Sequence, residues 1–199
     1  MNKIQIEEFN KLKAEVENCR NCELYKARNK VVFGNGNTGS KIFIIGEGPG
    51  YDEDKTGIAF VGKSGQLLDK IFQACGFDRE KHIYIGNIVK CRPPQNRNPS
   101  IEEQRECLPY LEKQIELIDP KILILLGSTA LKAFFGLQSK ITKERGHWKI
   151  YNNRYVMPTF HPSALLRNPS LKRETWEDFK MVIQKYREIV DAGHKCKYI

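Results

Sequence analysis

The sequence predicts an α/β protein in which a parallel sheet is covered by helices on both faces. Two observations support this fold class: short apolar runs bounded by turn residues recur along the chain, and helical patterns fill the intervals between them. Strands that alternate with helices form parallel sheets, because each connection must cross the sheet. Four strands are predicted, over residues 41–45, 82–89, 121–126 and 154–160. No internal boundary or repeat is visible, so we expect one domain over residues 1–199.

Helical patterns precede, separate and follow these strands. Apolar residues three or four positions apart predict helices over residues 3–17, from Ser64 to Cys75, from Ser100 to about Leu117, from Gly127 through Phe135, and over about 171–190. We expect Ser64 to cap the second helix and Gly76 to end it. Ser100 and Glu103 have the spacing of a capping box, which predicts the start of the third.

Two irregular segments follow the first two strands. Residues 46–50 contain three glycines and a proline, which cannot continue a strand or start a helix at once and which let the backbone approach a ligand. Three prolines exclude a helix between Cys91 and Pro99. Loops at the carboxyl ends of parallel strands bind ligands in open α/β sheets. Glu47, Asn87 and His161 all follow such ends, so we expect a ligand site there.

The charge distribution favours a polyanionic partner. The net charge is +9, and residues 139–199 carry +7 of it, with 13 Lys/Arg against 6 Asp/Glu. One-sided basic charge is typical of nucleic-acid binding, although a solvated basic surface explains the charge equally well. The longest apolar run, Ile122 to Leu126, is too short to span a membrane, and the first residues lack a signal core. We therefore expect a cytoplasmic protein.

Four of the six cysteines predict a metal site. Cys19 and Cys22 form a C-x-x-C pair, and Cys91 and Cys107 are 16 residues apart. Four thiolates suit a zinc ion or an iron–sulfur cluster equally well. The alternative is a redox-active pair with two small core residues. Of the other two, we expect the first, at position 75, to be buried on a helix face and the last, at position 196, to be an exposed thiol.

Three further side chains each allow two interpretations. Asn87 could read an amide-like edge such as that of a base, or it could stabilise a turn. Phe60, flanked by glycines, could stack on a base or anchor its loop in the core. His161 could bind a ligand or be a hydrogen-bonded loop residue. The segment that it begins, residues 161–168, suits a phosphate contact with an apolar wedge, or simply a helix start.

Taken together, these motifs resemble the family 4 uracil-DNA glycosylases. The resemblance rests on Gly-Glu-Gly-Pro-Gly at 46–50, Phe-Val-Gly at 60–62, Asn-Ile-Val-Lys-Cys-Arg-Pro-Pro at 87–94 and His-Pro-Ser-Ala-Leu-Leu-Arg at 161–167, and it extends from Cys19 to about Arg167. It implies a three-layer α/β/α sandwich with a four-stranded parallel sheet. It also implies a 4Fe–4S cluster held by Cys19, Cys22, Cys91 and Cys107.

The resemblance also implies a role for each motif residue. Uracil would be bound by Glu47, Gly48, Pro49, Phe60, Asn87 and His161. Phe60 would stack on the base, Asn87 would read its N3–H and O4 edge, and His161 would lie near O2. A carboxylate would position water, with Glu47 the first candidate and Asp54 the second. DNA would be contacted by Ser163, Leu166 and Arg167.

The function implied is that of a monofunctional glycosylase that removes uracil from single- or double-stranded DNA and initiates base-excision repair. No lysine in the matched motifs suits lyase chemistry, because Lys90 adjoins the expected ligand Cys91. We expect a monomer, a structural cluster, and contacts with a sliding clamp or other repair proteins. Two alternatives stay open: a non-catalytic iron–sulfur module that binds single-stranded nucleic acid, and a glycosylase for a wider range of deaminated bases.

Overall fold

A mixed sheet of six strands forms the centre of the computed structural model, which describes residues 2–199. The strands are β1 Asn35–Gly36, β2 Ile42–Gly46, β3 Ile83–Asn87, β4 Ile122–Leu126, β5 Lys149–Tyr151 and β6 Arg154–Thr159. Their order is β1-β3-β2-β4-β6-β5, in which the inner four are parallel and the two edges are antiparallel.

The prediction of a four-stranded parallel sheet is therefore wrong in strand number and direction. The four predicted strands are the inner four, whose apolar runs are almost entirely buried. The two edge strands were not predicted because their sequences lack the pattern of a buried strand. β1 has two residues, Asn and Gly, which strands disfavour, and β5 has three residues that are not fully buried.

Helices cover both faces of this sheet. They are α1 Lys3–Glu17, α2 Tyr51–Thr56, α3 Lys63–Cys75, α4 Arg79–His82, α5 Ile101–Ile118, α6 Gly127–Phe135, α7 Ile141–Glu144, α8 Pro162–Arg167 and α9 Leu171–Ile189. The five predicted helices are all present, and the four that were not predicted have six residues or fewer. The second predicted helix begins two residues earlier than expected, because Gly62 rather than Ser64 is its N-cap.

Alternate residues of the strands face two separate apolar cores. From β2, Phe43 and Ile45 pack with residues of α1 and α5, whereas Ile42 and Ile44 pack with residues of α3 and α9. This alternation follows from the period of two in a strand. Cys75 is buried in the second core, as expected. Cys196 is not fully exposed, since its thiol donates to the Ala74 oxygen at 3.1 Å.

The parallel register brings the carboxyl ends of the inner strands to one edge of the sheet. Gly46 at the end of β2 lies opposite Asn87 at the end of β3, and Leu126 of β4 lies opposite Thr159 of β6. Within residues 2–199, no helix combines the length and apolar character needed to cross a bilayer.

Candidate functional site

A cavity of about 570 Å³ opens at this edge of the sheet. Its lining comes from the segments that follow β2, β3, β4 and β6, with further residues from the proline-rich loop after Cys91. This is the position at which open α/β sheets bind ligands. The predicted residues Glu47, Gly48, Pro49, Phe60, Asn87, His161, Ser163 and Arg167 all line it. The cavity is therefore the candidate active site.

The glycine-rich loop forms one wall of the cavity and is joined to the neighbouring wall by its backbone. The N–H groups of Ile88 and Val89 donate to the oxygens of Gly46 and Glu47, at 2.9 and 3.1 Å. A Cβ at Gly46 would lie 2.5 Å from Asn87 Oδ1 and 2.6 Å from the Phe60 ring. Glycine is thus required there, because the Asn87 and Phe60 side chains meet over its Cα.

Asn87 lines this site and has an unpaired amide oxygen. Its side chain is almost fully buried, and Oδ1 finds no hydrogen-bond partner in residues 2–199. An orphaned buried acceptor costs about 1–3 kcal/mol. Such a group is expected where a ligand supplies the missing donor. No hydrogen bond to the side-chain oxygen supports the alternative of a turn-stabilising asparagine in the described chain.

Phe60 is held in a strained backbone conformation beside Asn87. Its φ is 56°, in the left-handed region that an aromatic residue rarely adopts. Arg79 donates to its carbonyl oxygen at 3.0 Å, and Gly65 passes so close that a Cβ there would lie 1.9 Å from that oxygen. The ring is 6% exposed, lines the cavity and lies 5.7 Å from the His161 ring. Phe60 is thus anchored in the core and also lines the cavity, and stacking on a base stays a prediction.

Glu53 holds the Phe60 loop against the glycine-rich loop, a role that the sequence analysis did not assign. One carboxylate oxygen accepts from the N–H groups of Val61 and Gly62, at 2.9 and 2.8 Å, and the other accepts from Gly50 N–H at 3.1 Å. Glu53 lies three residues after Gly50, which is the spacing of a capping box, so the sequence indicated the contact with Gly50. No sequence pattern indicated the contacts of Glu53 with Val61 and Gly62, because these residues come together only in the folded chain.

His161 follows β6 as a neutral imidazole whose tautomer is fixed by its neighbour. Ser163 N–H donates to His161 Nδ1 at 3.1 Å. A backbone N–H can only donate, so Nδ1 carries no proton and the proton is on Nε2. Burial, with a smaller effect from the charge of Arg167, lowers the pKa of His161 to about 4. A neutral imidazole with Nε2–H is a donor that can stabilise an anion formed in the cavity.

The two candidate carboxylates lie in different places. Glu47 lines the cavity, and one of its oxygens accepts from the hydroxyl of Thr129, which leaves the other oxygen available. Asp54 is fully buried away from the cavity lining, and its carboxylate accepts from the backbone and side chain of Asn29. Asp54 therefore holds the loop before β1, and its predicted role in positioning water has no support from this geometry.

The segment predicted to contact DNA forms α8 at the rim of the cavity. Its N-terminal residue Pro162 is preceded by His161, whose ring caps the helix. Leu166 is 46% exposed, and Arg167 is exposed at the cavity edge. Ser163 contacts His161 through its N–H and its hydroxyl, so it positions that imidazole in addition to any contact with DNA.

Asn96 is a second cavity residue to which the sequence analysis gave no role. It lies in the proline-rich loop with a φ of 56°, and its side-chain oxygen accepts from Arg92 Nε at 2.7 Å. The prolines signalled an irregular loop, but nothing local indicated that the loop would fold back over the sheet edge.

The four predicted metal ligands come together in a second, smaller cavity. Cys19, Cys22, Cys91 and Cys107 all line it, and all are free thiols. Arg28 Nη1 donates to Cys91 Sγ at 3.2 Å, and Lys90 N–H donates to Cys107 Sγ at 3.3 Å. Burial is the main cause of the raised pKa of Cys22 and Cys91, and it raises that of Cys107 to about 11. Thiols buried this way become thiolates when a metal replaces the proton.

The four thiols are a donor set that suits an iron–sulfur cluster. No group of three or more Cys, His, Asp or Glu side chains converges on one ion position within the described chain. In a four-iron cluster each cysteine binds a different iron, so the sulfurs surround the group and do not converge on one point. Four cysteines line one largely apolar cavity, and two N–H groups donate to their sulfurs, so these are the residues that would hold such a cluster.

Comparison with known proteins identifies the family of this chain. Residues 33–180 match the Uracil DNA glycosylase superfamily. The chain is 47% identical to a type-4 uracil-DNA glycosylase of Thermotoga maritima, over 83% of this chain and 88% of that protein. It is 40% identical to one from Sulfurisphaera tokodaii, over 89% and 84%. A type-5 uracil-DNA glycosylase of Pyrobaculum aerophilum is 28% identical over 79% and 75%. This chain therefore belongs to the uracil-DNA glycosylase superfamily, in which its sequence groups it with the type-4 enzymes.

Proposed function

We propose that this chain is a uracil-DNA glycosylase that hydrolyses the bond between uracil and deoxyribose in DNA and leaves an abasic site. The observation that carries the proposal is the unpaired Oδ1 of Asn87, a buried residue that lines the cavity together with Phe60 and His161. Uracil offers an N3–H donor beside an O4 acceptor. Asn87 Oδ1 would accept from N3–H while its amide nitrogen donates to O4, and cytosine has the opposite pattern.

The base must leave the helix before it can reach these groups. Flipping costs a few kcal/mol of stacking and pairing. Phe60 would recover part of this cost by stacking on the flipped base. Exposed Leu166 at the rim would fill the space that the base vacates, and Arg167 beside it would contact phosphate, with Ser163 close by.

Bond cleavage would be assisted at both fragments. The electron pair of the broken bond stays on uracil N1 and spreads to O2, and positive charge develops on the sugar. His161 Nε2–H and the backbone N–H groups of Glu47 and Gly48 would donate to the anion. A water then adds to the sugar carbon and gives its proton to the free oxygen of Glu47, whose other oxygen is held by Thr129. Among the described residues no lysine lines the cavity, so the proposal includes no lyase step.

We propose that Cys19, Cys22, Cys91 and Cys107 hold a 4Fe–4S cluster with a structural role. When bound, the group cross-links the segment after α1, the loop after β3 and the helix α5. Its position in a separate cavity supports a structural role. Visible absorption of anaerobically purified protein distinguishes a cluster from colourless zinc.

Incubation with a uracil-containing oligonucleotide followed by alkali tests the function. We expect strand scission at the uracil position, a loss of activity in Asn87→Leu, and unchanged activity in the control Asn10→Ala, an exposed residue of α1. Absence of scission by the wild-type protein would reject the enzyme and leave the non-catalytic binding module.

DNA that contains hypoxanthine is a second candidate substrate. Hypoxanthine also presents an N–H donor beside a carbonyl acceptor, at N1 and O6, so the Asn87 amide could read it in the same orientation. Oligonucleotides with hypoxanthine or xanthine opposite each base would measure this wider specificity. Three further properties stay predictions. They are one domain over residues 1–199, a cytoplasmic monomer, and contacts with a sliding clamp or other repair proteins.

A further inference from the structure

Lys90 is a buried lysine between the two sites, and neither site's chemistry uses it. It is 1% exposed, and no ion pair with a carboxylate is found for it in residues 2–199. It directly precedes the expected ligand Cys91. A buried ammonium group is costly unless its environment compensates the charge and satisfies its donors. The contacts that do so connect it in two directions.

Toward the pocket, the Lys90 side chain folds back onto the end of β3. Its Nζ donates to the main-chain oxygen of Asn87 at 2.9 Å. The two residues after Asn87 are already fixed, because their N–H groups donate to Gly46 and Glu47. The ammonium thus secures the carbonyl of the residue whose side chain would read uracil.

Toward the cysteine cavity, Lys90 is fixed by α5. Its N–H donates to Cys107 Sγ at 3.3 Å, and its Nζ donates at 2.6 Å to Gln114 Oε1, two turns further along the same helix. Gln114 is fully buried, and its amide nitrogen donates to the Phe33 oxygen at 2.9 Å, which sets the orientation of the amide. If Cys107 and the other three cysteines bind a metal group as thiolates, their negative charge would compensate the positive charge of the Lys90 ammonium.

We propose that Lys90 is a positioning residue that fixes Asn87 and connects the cysteine site to the uracil pocket. The inference rests on the proposed function. The loss of Lys90 Nζ leaves the Asn87 carbonyl and the Gln114 amide oxygen without their donor, so the end of β3 moves and the Asn87 side chain loses its alignment with the base. A lysine with a purely structural role would lower stability without acting through Asn87.

A double-mutant cycle tests the proposal on anaerobically purified holoprotein. We expect Lys90→Met to lower kcat/KM on a uracil-containing oligonucleotide by about tenfold to a hundredfold, as the loss of hydrogen bonds to a charged group does. In an Asn87→Ala background, the same substitution should change kcat/KM by less than about twofold, because the residue through which it acts is gone. Lys113→Met, an exposed lysine of α5, is the matched control and should have no effect.

Gln114→Leu provides an independent second cycle if Lys90→Met does not fold, because it removes the other anchor of Nζ. Melting temperature and visible absorption of each variant show that fold and cluster persist. Additive effects in the cycle, or full activity of Lys90→Met, would overturn the proposal. The wild-type and Asn87→Ala rates in the same assay test the proposed function separately, so that its failure is distinguishable.

Discussion

The uracil pocket and the cysteine cavity are built in opposite ways. Pocket residues lie at or after the ends of four strands whose register is fixed by the sheet. Hydrogen bonds with Glu53 and Arg79 hold the backbone of the Phe60 loop, and Ser163 N–H donates to the His161 ring. The cysteines come from the end of α1, a short turn, the loop after β3 and the middle of α5. Among the described residues, two N–H donors contact their sulfurs.

This difference shows which interactions hold the residues of each site in place. The pocket is preorganised by the protein, and its geometry has a cost, which appears as a left-handed Phe60 and an orphaned Asn87 oxygen. The cysteine site would be completed by what it binds, because a shared group would join segments that have few direct bonds. Substitutions in the pocket should thus reduce activity, and substitutions of the cysteines should reduce stability.

The strongest test of this contrast is His161→Leu. Loss of a preorganised donor to a developing anion costs about 10²–10³-fold in kcat. We expect a decrease of this size, with a melting temperature near that of wild type and a smaller decrease for His161→Gln, which keeps a donor. Single-turnover uracil release measures the rate, and His147→Leu, an exposed histidine, is the control. A large fall in melting temperature without loss of kcat would break the contrast.

Cys107→Ala should give the reverse result. Because binding free energy at a structural metal site is folding free energy, we expect a loss of about 3 kcal/mol or more, or about 10 °C in Tm, with reduced iron content. The fraction that stays folded should keep its preference for uracil. Calorimetry and iron analysis check this, with Cys196→Ser as the control outside the cavity. Normal melting with intact iron in Cys107→Ala would refute the ligand assignment.

Glu53→Gln is expected to have an intermediate effect on the pocket alone. The amide can accept from Val61 and Gly62 or from Gly50, but it places an NH₂ group against the other side. Loss of one charge-assisted hydrogen bond is worth about 1.5 kcal/mol, so kcat/KM should fall about tenfold, mainly through KM as Phe60 loses its position. Glu7→Gln, on exposed α1, is the control. An unchanged KM would mean that the Phe60 loop needs no support from Glu53.

The sequence predicted the parts of both sites that depend on local pattern. Apolar runs placed β2, β3, β4 and β6, and their common carboxyl edge brought Glu47, Asn87 and His161 together. The cysteine pattern predicted one site for Cys19, Cys22, Cys91 and Cys107, and the structure places all four in the same cavity.

What could not be predicted depends on contacts between distant segments. Asp54 and Glu53 are neighbours in one acidic run, and only the fold directs Asp54 toward Asn29 and Glu53 toward Val61. Similarly, Lys90 has no sequence signal for its bond to Gln114, which is 24 residues away on another element. The edge strands β1 and β5 pair through their backbones, which leave no apolar pattern.

The smallest expected effect concerns pH, and it sharpens the contrast by isolating one pocket residue. The pKa of His161 is lowered to about 4 from its usual 6.5, so the folded protein keeps this histidine neutral while the unfolded chain takes up a proton between those values. Its contribution to stability is therefore fully present above pH 6.5 and is lost as the pH falls toward 4. The melting temperature of wild type should fall faster through this window than that of His161→Gln, which cannot titrate.

Because protonation at Nδ1 also displaces the Ser163 N–H, kcat should stay flat down to about pH 5 and decline near 4. Parallel melting curves for the two proteins between pH 6.5 and 4 would show that His161 titrates normally, and would remove the neutral donor on which the proposed stabilisation of uracil depends.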